Sequence, residues 1–418
     1  MFYALNENVY FVSGKVRGCI YDFNSAKLYN LNADLTEKFK LINAGKISTD
    51  LLDDELKKVL QKFIELKILF FSEKPIMRQI EEIILQDTKC NFAWIEITSR
   101  CNLKCMHCYN ESEFCCENTM SLEDYKIVIV IDALLKFGIE KIQIIGGEPF
   151  FDSSKLKSML NYTVGKFKFI EIFTNGTLIT EDWFKFLEEN KICVALSIYS
   201  YNADEHDKVT KVAGSWAKTN KTVAALKKFN IPYRVCNVLM KNVCLGESST
   251  DLYKLSDKKD VVRLTGRANF SLLTDDLLKK KLITKKTFGK KISKDFCARL
   301  ISSHNCFGSK IYISANLEIF PCVMERRFKH GEINSSGEII LQDAIKFLNK
   351  DKIIDCKDCE FRYACFDCRA DSVSEDIFAK PYYCTYNPSV GEWSDADDFI
   401  LKLRKNFEVS NERLHKIL

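Results

Sequence analysis

Three closely spaced cysteines in the stretch TSRCNLKCMHCYN carry the first chemical signal in this sequence. Cys101, Cys105 and Cys108 have the spacing C-x3-C-x2-C and follow the apolar run WIEIT. Three thiolates on one loop could bind three irons of a [4Fe–4S] cluster, which normally takes four thiolates. The missing ligand would leave one iron open to a substrate or cofactor. The alternatives are a zinc site, although closed zinc sites take four ligands, and a buried trio of structural cysteines.

A second and denser field of cysteines lies between residues 297 and 384. Its centre, CKDCEFRYACFDC, has the spacing C-x2-C-x5-C-x2-C. Eight thiolates could hold two four-ligand iron–sulfur clusters, whereas paired C-x2-C motifs are also typical of zinc ribbons. The eight cysteines of this field are Cys297, Cys306, Cys322, Cys356, Cys359, Cys365, Cys368 and Cys384.

The cysteine content matters because of the compartment that the sequence indicates. The chain of 418 residues contains 18 cysteines, and it shows neither a signal-peptide pattern nor an apolar run long enough to span a membrane. We therefore expect a cytoplasmic protein with no membrane partner, in which clustered cysteines point to metal binding or catalysis rather than disulfides. Cys115 and Cys116 stay unassigned loop thiols. Isolated cysteines are expected to pack as small core residues, namely Cys19, Cys90, Cys193, Cys236 and Cys244.

The net charge gives little information about partners. Lysine and arginine total 62 and aspartate and glutamate total 57, so the formal charge is 62 − 57 = +5. The basic residues are scattered, as on an ordinary solvated surface. We therefore expect no nucleic-acid partner.

The elements that must position the first cysteines alternate between strands and helices. Apolar, strand-like runs are separated by helical stretches from residue 92 onward, which implies a parallel sheet with helices outside. Six such units are fewer than a closed eight-stranded barrel needs, so we predict an open α/β fold, a partial (β/α)6 barrel, with its chemistry at the carboxyl ends of the strands. The predicted strands are FAWIEIT, KIQIIGG, FIEIFTNG, ICVALSIYS, YRVCNVLM and DVVRLTG.

Further units are predicted on both sides of this barrel. The N-terminal unit contains three short strands, VYFVSG, RGCIYDFN and KLYNLN, followed by two helices, the first with Asn32 as N-cap and Gly45 as its stop. The C-terminal cysteine field is predicted to be rich in loops and to end in an amphipathic helix. The predicted boundaries are 1–75 for the N-terminal unit, 76–91 for a linker helix, 92–296 for the barrel, 297–390 for the cysteine field and 391–418 for the last helix.

The first motif, together with three later segments, resembles the radical S-adenosylmethionine (SAM) superfamily. These segments are GGEP after the second strand, TNG after the third and LSIYS at the fourth. The resemblance implies that SAM chelates the open iron through its amino and carboxyl groups. It also implies that an electron from the cluster cleaves SAM, and that the resulting 5′-deoxyadenosyl radical abstracts a hydrogen from the substrate. The matching SAM-binding positions are Gly146, Gly147, Glu148, Thr174, Asn175 and Ser197.

Several positions around these motifs depart from the family pattern or have no assigned role. Tyr199 and Ser200 replace an Asp-Gly pair that many relatives carry after Ser197. His107 stands where the family often has an aromatic residue. His206 resembles a position after the fourth strand, but a surface histidine is an equal alternative. We identify no catalytic proton donor or acceptor.

The cysteine field resembles the SPASM domain, which follows many radical SAM cores and binds up to two auxiliary [4Fe–4S] clusters. Leu317 occupies a glycine position of that pattern, and the last cysteine pair is one residue closer than usual. If Cys297 is not a ligand, the nearer cluster keeps an open site for a substrate thiolate. The family arrangement implies a nearer cluster held by Cys306, Cys322, Cys368 and Cys297, and a farther one held by Cys356, Cys359, Cys365 and Cys384.

The resemblance also implies a substrate class. SPASM proteins act mainly on ribosomally made peptides, or on one side chain during sulfatase maturation. Sulfatase maturases carry an aspartate where Val323 follows Cys322 here, which argues against that activity. The N-terminal unit resembles the winged-helix domain that binds leader peptides by adding a strand to its edge. The stretch CKDCEFRYACFDCRAD is similar to the grasp-with-spasm group of peptide maturases.

We therefore predict a peptide maturase with three [4Fe–4S] clusters and SAM as cofactors. It would install a thioether or other crosslink, or an epimer, in a precursor peptide, and would depend on an external reductant of flavodoxin or ferredoxin type. A small-molecule dehydrogenase or a sulfatase maturase of the same superfamily is the first alternative. The second is a non-catalytic peptide-binding protein that has kept a radical SAM shell.

Overall fold

The structure is a computed structural model that describes residues 1–48, 53–84, 89–112, 120–246 and 255–415. Cys115 and Cys116 lie outside the described residues. Among the helices within these ranges, none has the length and apolar character that crossing a membrane requires.

The N-terminal unit consists of two small antiparallel sheets and two helices. The strand order β2-β3-β4 forms one sheet, and β1 pairs with β5 in the other. Asn32 caps α1 as predicted, because its side chain accepts a hydrogen bond from the amide of Leu35. Gly45, with φ of 65°, follows the end of that helix. The elements are β1 (Phe2–Leu5), β2 (Val9–Ser13), β3 (Gly18–Asp22), β4 (Lys27–Leu31), α1 (Ala33–Asn43), α2 (Asp54–Glu65) and β5 (Leu69–Ser72).

The prediction of a linker helix was wrong for the part of the linker that the structure describes. Only a short 3-10 helix, Ile80–Ile83, forms there, and Ile84 already has extended backbone angles. Ile80 and Ile83 are buried in an apolar cluster with Tyr10 of β2. The apolar spacing thus reflects one buried turn rather than a continuous helix.

The central residues form the parallel sheet that the sequence predicts. Its strands lie in the order β6-β7-β8-β9-β10-β11, and the connecting helices pack on one face. The sixth strand begins earlier than predicted: β11 has the polar sequence LSDKKDV and ends at Val261. A sheet-edge strand is held by backbone bonds to one neighbour, so it needs no apolar pattern. The elements are β6 (Phe92–Thr98), α3 (Asp124–Phe137), β7 (Lys141–Gly146), α4 (Ser153–Thr163), β8 (Phe169–Thr174), α5 (Glu181–Glu189), β9 (Cys193–Ser197), α6 (Ala203–Thr210), α7 (Ser215–Lys228), β10 (Tyr233–Leu239) and β11 (Leu255–Val261).

The cysteine field extends this sheet, although loops were expected there. β12 pairs in parallel with β6, and β13, β14 and β15 continue in antiparallel order, which makes a ten-stranded sheet. These strands have three or four residues, too few to show an alternating pattern in the sequence. The elements are α8 (Asp275–Lys281), α9 (Lys294–Ser302), β12 (Lys310–Ile313), β13 (Glu318–Phe320), β14 (Gly331–Ile333), β15 (Ile339–Leu341), α10 (Asp343–Lys346), β16 (Tyr386–Asn387), β17 (Glu392–Trp393) and α11 (Ala396–His415).

The N-terminal unit packs against the cysteine field. The hydroxyl of Tyr21, on β3, donates to the carbonyl of Glu360 at 3.0 Å, and the amide of Lys15 donates to the carbonyl of Asp358 at 2.8 Å. Tyr21 is fully buried. The N-terminal unit therefore contacts the cysteine field beside Cys359. The domain boundaries given above stay predictions.

Candidate active site

The first three cysteines lie on the loop after β6 and face a large cavity. Cys101, Cys105 and Cys108 all line this cavity, whose volume is about 1020 Å³. Parallel strands end at one edge of a sheet, so the loops after β7, β8 and β9 reach the same space. The predicted SAM-binding residues that line it are Gly146, Gly147, Thr174, Asn175 and Ser197. The structure therefore brings together the first motif and all but one of those residues.

Cys101 is buried, and Cys105 and Cys108 are half-buried. Burial raises the pKa of Cys105 to about 12, and the charge of Cys108 adds to the effect. Burial also raises the pKa of Cys101, with a further contribution from the carboxylate of Glu148. Buried thiols of this kind ionise when a metal cation replaces their protons. The donor set thus suits an iron–sulfur cluster.

The spacing of the sulfurs bears on which metal fits. Within the described ranges, no three Cys, His, Asp or Glu side chains converge closely enough to hold a single metal ion. The thiolates of a [4Fe–4S] cluster bind separate irons, whereas zinc gathers its four ligands around one ion. The individual ligands stay predictions.

The two glycines of GGEP allow β7 to pack against the chain that leads into Cys101. A Cβ atom on Gly146 would lie 2.2 Å from the carbonyl oxygen of Thr98, and one on Gly147 would lie 2.3 Å from that of Arg100. The amide of Gly147 donates to Thr98, and that of Glu148 donates to Arg100, both at 2.8 Å. Hence the glycines position the cysteine loop as well as lining the cavity.

Glu148 joins the ends of β7 and β8. Its carboxylate is fully buried and accepts from the hydroxyl of Thr174 at 2.6 Å, the amide of Asn175 at 2.8 Å and the amide of Phe150 at 3.0 Å. Burial raises the pKa of Glu148 to about 7, although these hydrogen bonds oppose the shift. Glu148 is absent from the residues that line the cavity, so its contact with SAM stays a prediction.

Asn175 links this carboxylate to the first cysteine. Its side-chain amide donates to Oδ1 of Asn102 at 2.9 Å and lies 3.9 Å from Sγ of Cys101. Sγ of Cys101 also accepts from the amide of Leu103 at 3.4 Å. The strand-end network from Glu148 to Asn175 therefore fixes the start of the cysteine loop.

Tyr199, which follows β9, also contacts the loop that carries the first three cysteines. Its hydroxyl forms hydrogen bonds with Ser197 and with Cys105, and its ring lies 4.8 Å from that of His107. His206 is buried rather than at the surface, and its Nδ1 accepts from the amide of Tyr199 at 3.3 Å. Burial lowers the pKa of His206 to about 4. The departure from Asp-Gly at this strand end thus supplies a phenol to Cys105, which the sequence did not reveal.

Three cysteines of the C-terminal field share Arg263, a residue of the cavity wall, as a neighbouring charge. Burial raises the pKa of Cys322 to about 12, and the charges of Cys368 and Cys306 add to the shift, so the three thiols are neighbours. The guanidinium of Arg263 lowers the pKa of all three, against the larger effect of burial. Arg263 and Met324 line the large cavity. We call Cys306, Cys322 and Cys368 the inner group.

Cys297 does not join the inner group, contrary to the expectation from the SPASM pattern. It lies on α9 with no exposed surface, in an apolar cluster with Cys19 and Tyr21 of the N-terminal unit. Burial raises its pKa to about 12. The buried face of α9 turns Cys297 away from Cys306, because that face packs on β3.

The remaining four cysteines form a separate group, which we call the outer group. Cys356, Cys359, Cys365 and Cys384 line a small cavity of about 20 Å³ together with Lys350. Burial raises the pKa of Cys356 to about 11, with Lys350 acting in the opposite direction. The structure therefore gathers the four cysteines predicted for the farther cluster.

The isolated cysteines follow their prediction only in part. Cys19 is a buried core residue, and Cys90 packs half-buried against the central core. Cys193 and Cys236 line the large cavity, and Cys244 is exposed. A single cysteine in an apolar run does not reveal which face of its strand it occupies.

Comparison with known proteins agrees with this geometry. Residues 95–243 match the model of the radical SAM superfamily. The antilisterial bacteriocin subtilosin biosynthesis protein AlbA of Bacillus subtilis is 35% identical over 182 residues, which make up 43% of this chain and 38% of AlbA. A probable GTP 3′,8-cyclase of Methanosarcina acetivorans is 31% identical over 175 residues, 39% of this chain and 51% of that protein. The chain thus spans about half or less of these curated relatives.

A solved structure extends the similarity over most of the fold. Streptococcus suis SuiB bound to the precursor peptide SuiA superposes with a TM-score of 0.52 and 16% identity, covering 90% of this chain and 98% of that one. At this identity the likeness concerns the fold alone. Residues 95–243, which match the model of the radical SAM superfamily, include the cysteine loop at the end of β6.

Proposed function

We propose that this chain is a radical SAM/SPASM enzyme that modifies a ribosomally made precursor peptide. The observation that carries the proposal is the single cavity of about 1020 Å³, which has the loop of Cys101, Cys105 and Cys108 in its wall together with Arg263, the neighbour of the inner group. A peptide side chain in this cavity would reach both cysteine sites. Similarity to AlbA, a bacteriocin biosynthesis protein, and to the fold of SuiB supports a peptide substrate.

In this proposal the loop cysteines ligate a [4Fe–4S] cluster that binds SAM and, once reduced by an external one-electron donor, supplies the 5′-deoxyadenosyl radical. The chain's own residues hold that loop rigid. Gly147 and Asn175 fix its start, and Tyr199 holds Cys105. The predicted SAM contacts at the ends of β7, β8 and β9 surround the same space. Bound SAM and peptide would have to exclude water from a reactive radical in this cavity.

The inner group is proposed as a three-thiolate auxiliary site. With Cys297 turned toward the N-terminal unit, the protein provides Cys306, Cys322 and Cys368. Arg263 lines the cavity, and its positive charge opposes the larger, pKa-raising effect of burial on these thiols. A substrate thiolate approaching along that wall would meet a cationic side chain, which favours a thioether crosslink among the predicted products.

The N-terminal unit is proposed as the leader-peptide site. In the described part of the chain, β4 pairs only with β3, so its other edge has free backbone groups. The side chains of Lys27 and Asn30 on this strand are exposed. An extended peptide could add to that edge as a further strand.

The test begins with protein reconstituted under nitrogen with iron and sulfide. We expect about twelve irons per chain, as three clusters require, and release of 5′-deoxyadenosine when SAM and dithionite are added. Small peptides encoded beside the gene are then incubated with the enzyme and analysed by mass spectrometry. A crosslink removes hydrogen mass, and an epimer takes up deuterium from heavy water.

The control is the variant in which Cys101, Cys105 and Cys108 are all alanine, which should cleave no SAM. Zinc in place of iron at the C-terminal cysteines, with no deoxyadenosine from the wild type, would contradict the catalytic proposal. Such a protein would be a peptide-binding module.

A further inference from the structure

A buried ionic cluster lies between the inner and outer groups. Lys350, Asp367, Arg369 and His304 are exposed by 4%, 1%, 7% and 6%, respectively. Asp367 pairs with the ammonium of Lys350 through one carboxylate oxygen and with the guanidinium of Arg369, at 2.6 Å, through the other. Nε2 of His304 lies 2.8 Å from the carbonyl oxygen of Asp367.

This ionic cluster touches both cysteine groups. Lys350 lines the small cavity of the outer group and also a second small cavity, which His304, Asp367 and Arg369 line on its other side. Asp367 stands in the sequence between Cys365 of the outer group and Cys368 of the inner group. Nδ1 of His304 accepts from the amide of Cys306 at 3.3 Å.

This ionic cluster carries an excess of positive charge. It contains two cations, Lys350 and Arg369, and one carboxylate, Asp367, which pairs with both of them. The small cavity is also lined by Asp355, which is half-buried, by Arg362, which pairs with Asp351, and by Lys380, which donates to the carbonyl of Tyr386.

Such an excess charge is costly in a protein interior unless an anion lies beside it. The four thiols of the outer group line the same small cavity as Lys350 and become anionic when they bind iron. A fixed cation next to an iron–sulfur site stabilises its more negative, reduced state and so raises its reduction potential.

We propose that the ammonium of Lys350 raises the reduction potential of the iron–sulfur cluster bound by the outer group, and that the carboxylate of Asp367 limits this effect. The inference rests on the proposed function only through the assignment of a cluster to Cys356, Cys359, Cys365 and Cys384.

The test is a redox titration of the reconstituted full-length chain, followed by electron paramagnetic resonance. The Cys359→Ala variant identifies the outer-group signal as the one that it lacks. In Lys350→Met, the outer-group potential should fall by at least about 59 mV, a tenfold change in the reduced-to-oxidised ratio. Lys350→Arg keeps the charge and should retain most of the potential.

Lys352→Met is the matched control, because Lys352 is an exposed lysine on the same 3-10 turn. It removes the same charge and should leave the potential unchanged, because solvent screens an exposed charge. Asp367→Asn removes the opposing charge and should shift the potential upward, so the two buried variants bracket the wild type.

An unchanged outer-group potential in Lys350→Met with full iron content would overturn the inference and leave the peptide-modifying proposal standing. If Lys350→Met loses iron, Asp367→Asn decides, and the absence of an upward shift there would overturn the inference. If Cys359→Ala has the iron content and spectrum of the wild type, the outer group holds no cluster, and both the inference and the three-cluster proposal fail.

Discussion

The loop after β6 and the outer group present their thiols in opposite ways. The loop offers three cysteines to a cavity of about 1020 Å³, and backbone contacts to Gly146 and Gly147 hold it in place. The outer group places four cysteines around about 20 Å³ with a buried lysine beside them. A site that admits a small molecule needs open space beside its thiols. In a closed site, a fourth thiol and a positively charged side chain can occupy that space.

The inner group lies between these extremes. It has three cysteines, as the loop has, and the guanidinium of Arg263, which lines the cavity, acts on all three thiols. In the proposal, a cation rather than a fourth thiol accompanies the open position. The comparison suggests that the number of protein thiols follows the access that each site gives to a substrate.

The largest effect should come from removing one thiol of the loop. Cys105→Ala should abolish deoxyadenosine formation and remove about four of twelve irons, leaving the signals of the other sites. Iron analysis and chromatography of the SAM cleavage product measure both. The control Cys90→Ala changes a half-buried cysteine away from the cavity and should affect neither. Full SAM cleavage by Cys105→Ala would show that the reaction does not need all three thiols of the loop, which would contradict the comparison.

A backbone change should produce nearly the same loss at the loop and none at the outer group. Gly147→Ala places a Cβ about 2.3 Å from the carbonyl of Arg100, and overpacking of this kind costs about 1–3 kcal/mol. We expect loss of the loop cluster, reduced SAM cleavage and a lower thermal midpoint. Gly289→Ala, where a Cβ would meet nothing within 4 Å, is the control. Equal iron content in the two variants would contradict the positioning role of Gly147.

The pH dependence of stability should reveal the buried carboxylate behind the loop. Glu148 has a pKa of about 7 in the folded chain against 4.5 when unperturbed. The folded state therefore binds the proton more tightly, and this contribution to stability is lost as pH rises from 4.5 to 7, by about 1.4 kcal/mol per pH unit.

Glu148→Gln should lack this slope, even though it lowers stability at all pH values by replacing an acceptor oxygen. Urea unfolding of the iron-free chain between pH 4.5 and 7 compares the two slopes. Parallel slopes for the variant and the wild type would show that Glu148 titrates normally.

The smallest expected effect tests how many cysteine ligands the inner group has. Cys297→Ala should keep the full iron content and lose about 1 kcal/mol of unfolding free energy, the typical cost of a small buried truncation. Iron analysis and urea unfolding check it, with Cys322→Ala as the variant that should lose iron. If Cys297→Ala also loses about four irons, Cys297 is a ligand and the inner group has no open position.

Much of the central fold could be predicted from local pattern. The first five core strands and the N-cap at Asn32 follow from apolar runs and side-chain chemistry that act over a few residues. The sixth core strand, the linker turn and the strands β12 to β15 could not be placed, because their formation depends on pairing with distant segments. β12, for example, exists because Lys310–Ile313 lies against β6.

The sequence by itself identified the cysteines of the three candidate sites. Thiol spacing within one loop and the GGEP and TNG segments are local, and they identify which residues can act. Only the tertiary structure decided how the thiols are shared. In the folded chain, Cys297 lies in an apolar cluster with residues of the N-terminal unit, and Tyr199 lies beside Cys105. Lys350 is buried beside the outer group. These outcomes depend on which faces pack together, and packing between segments far apart in the chain leaves no periodic signal in either segment.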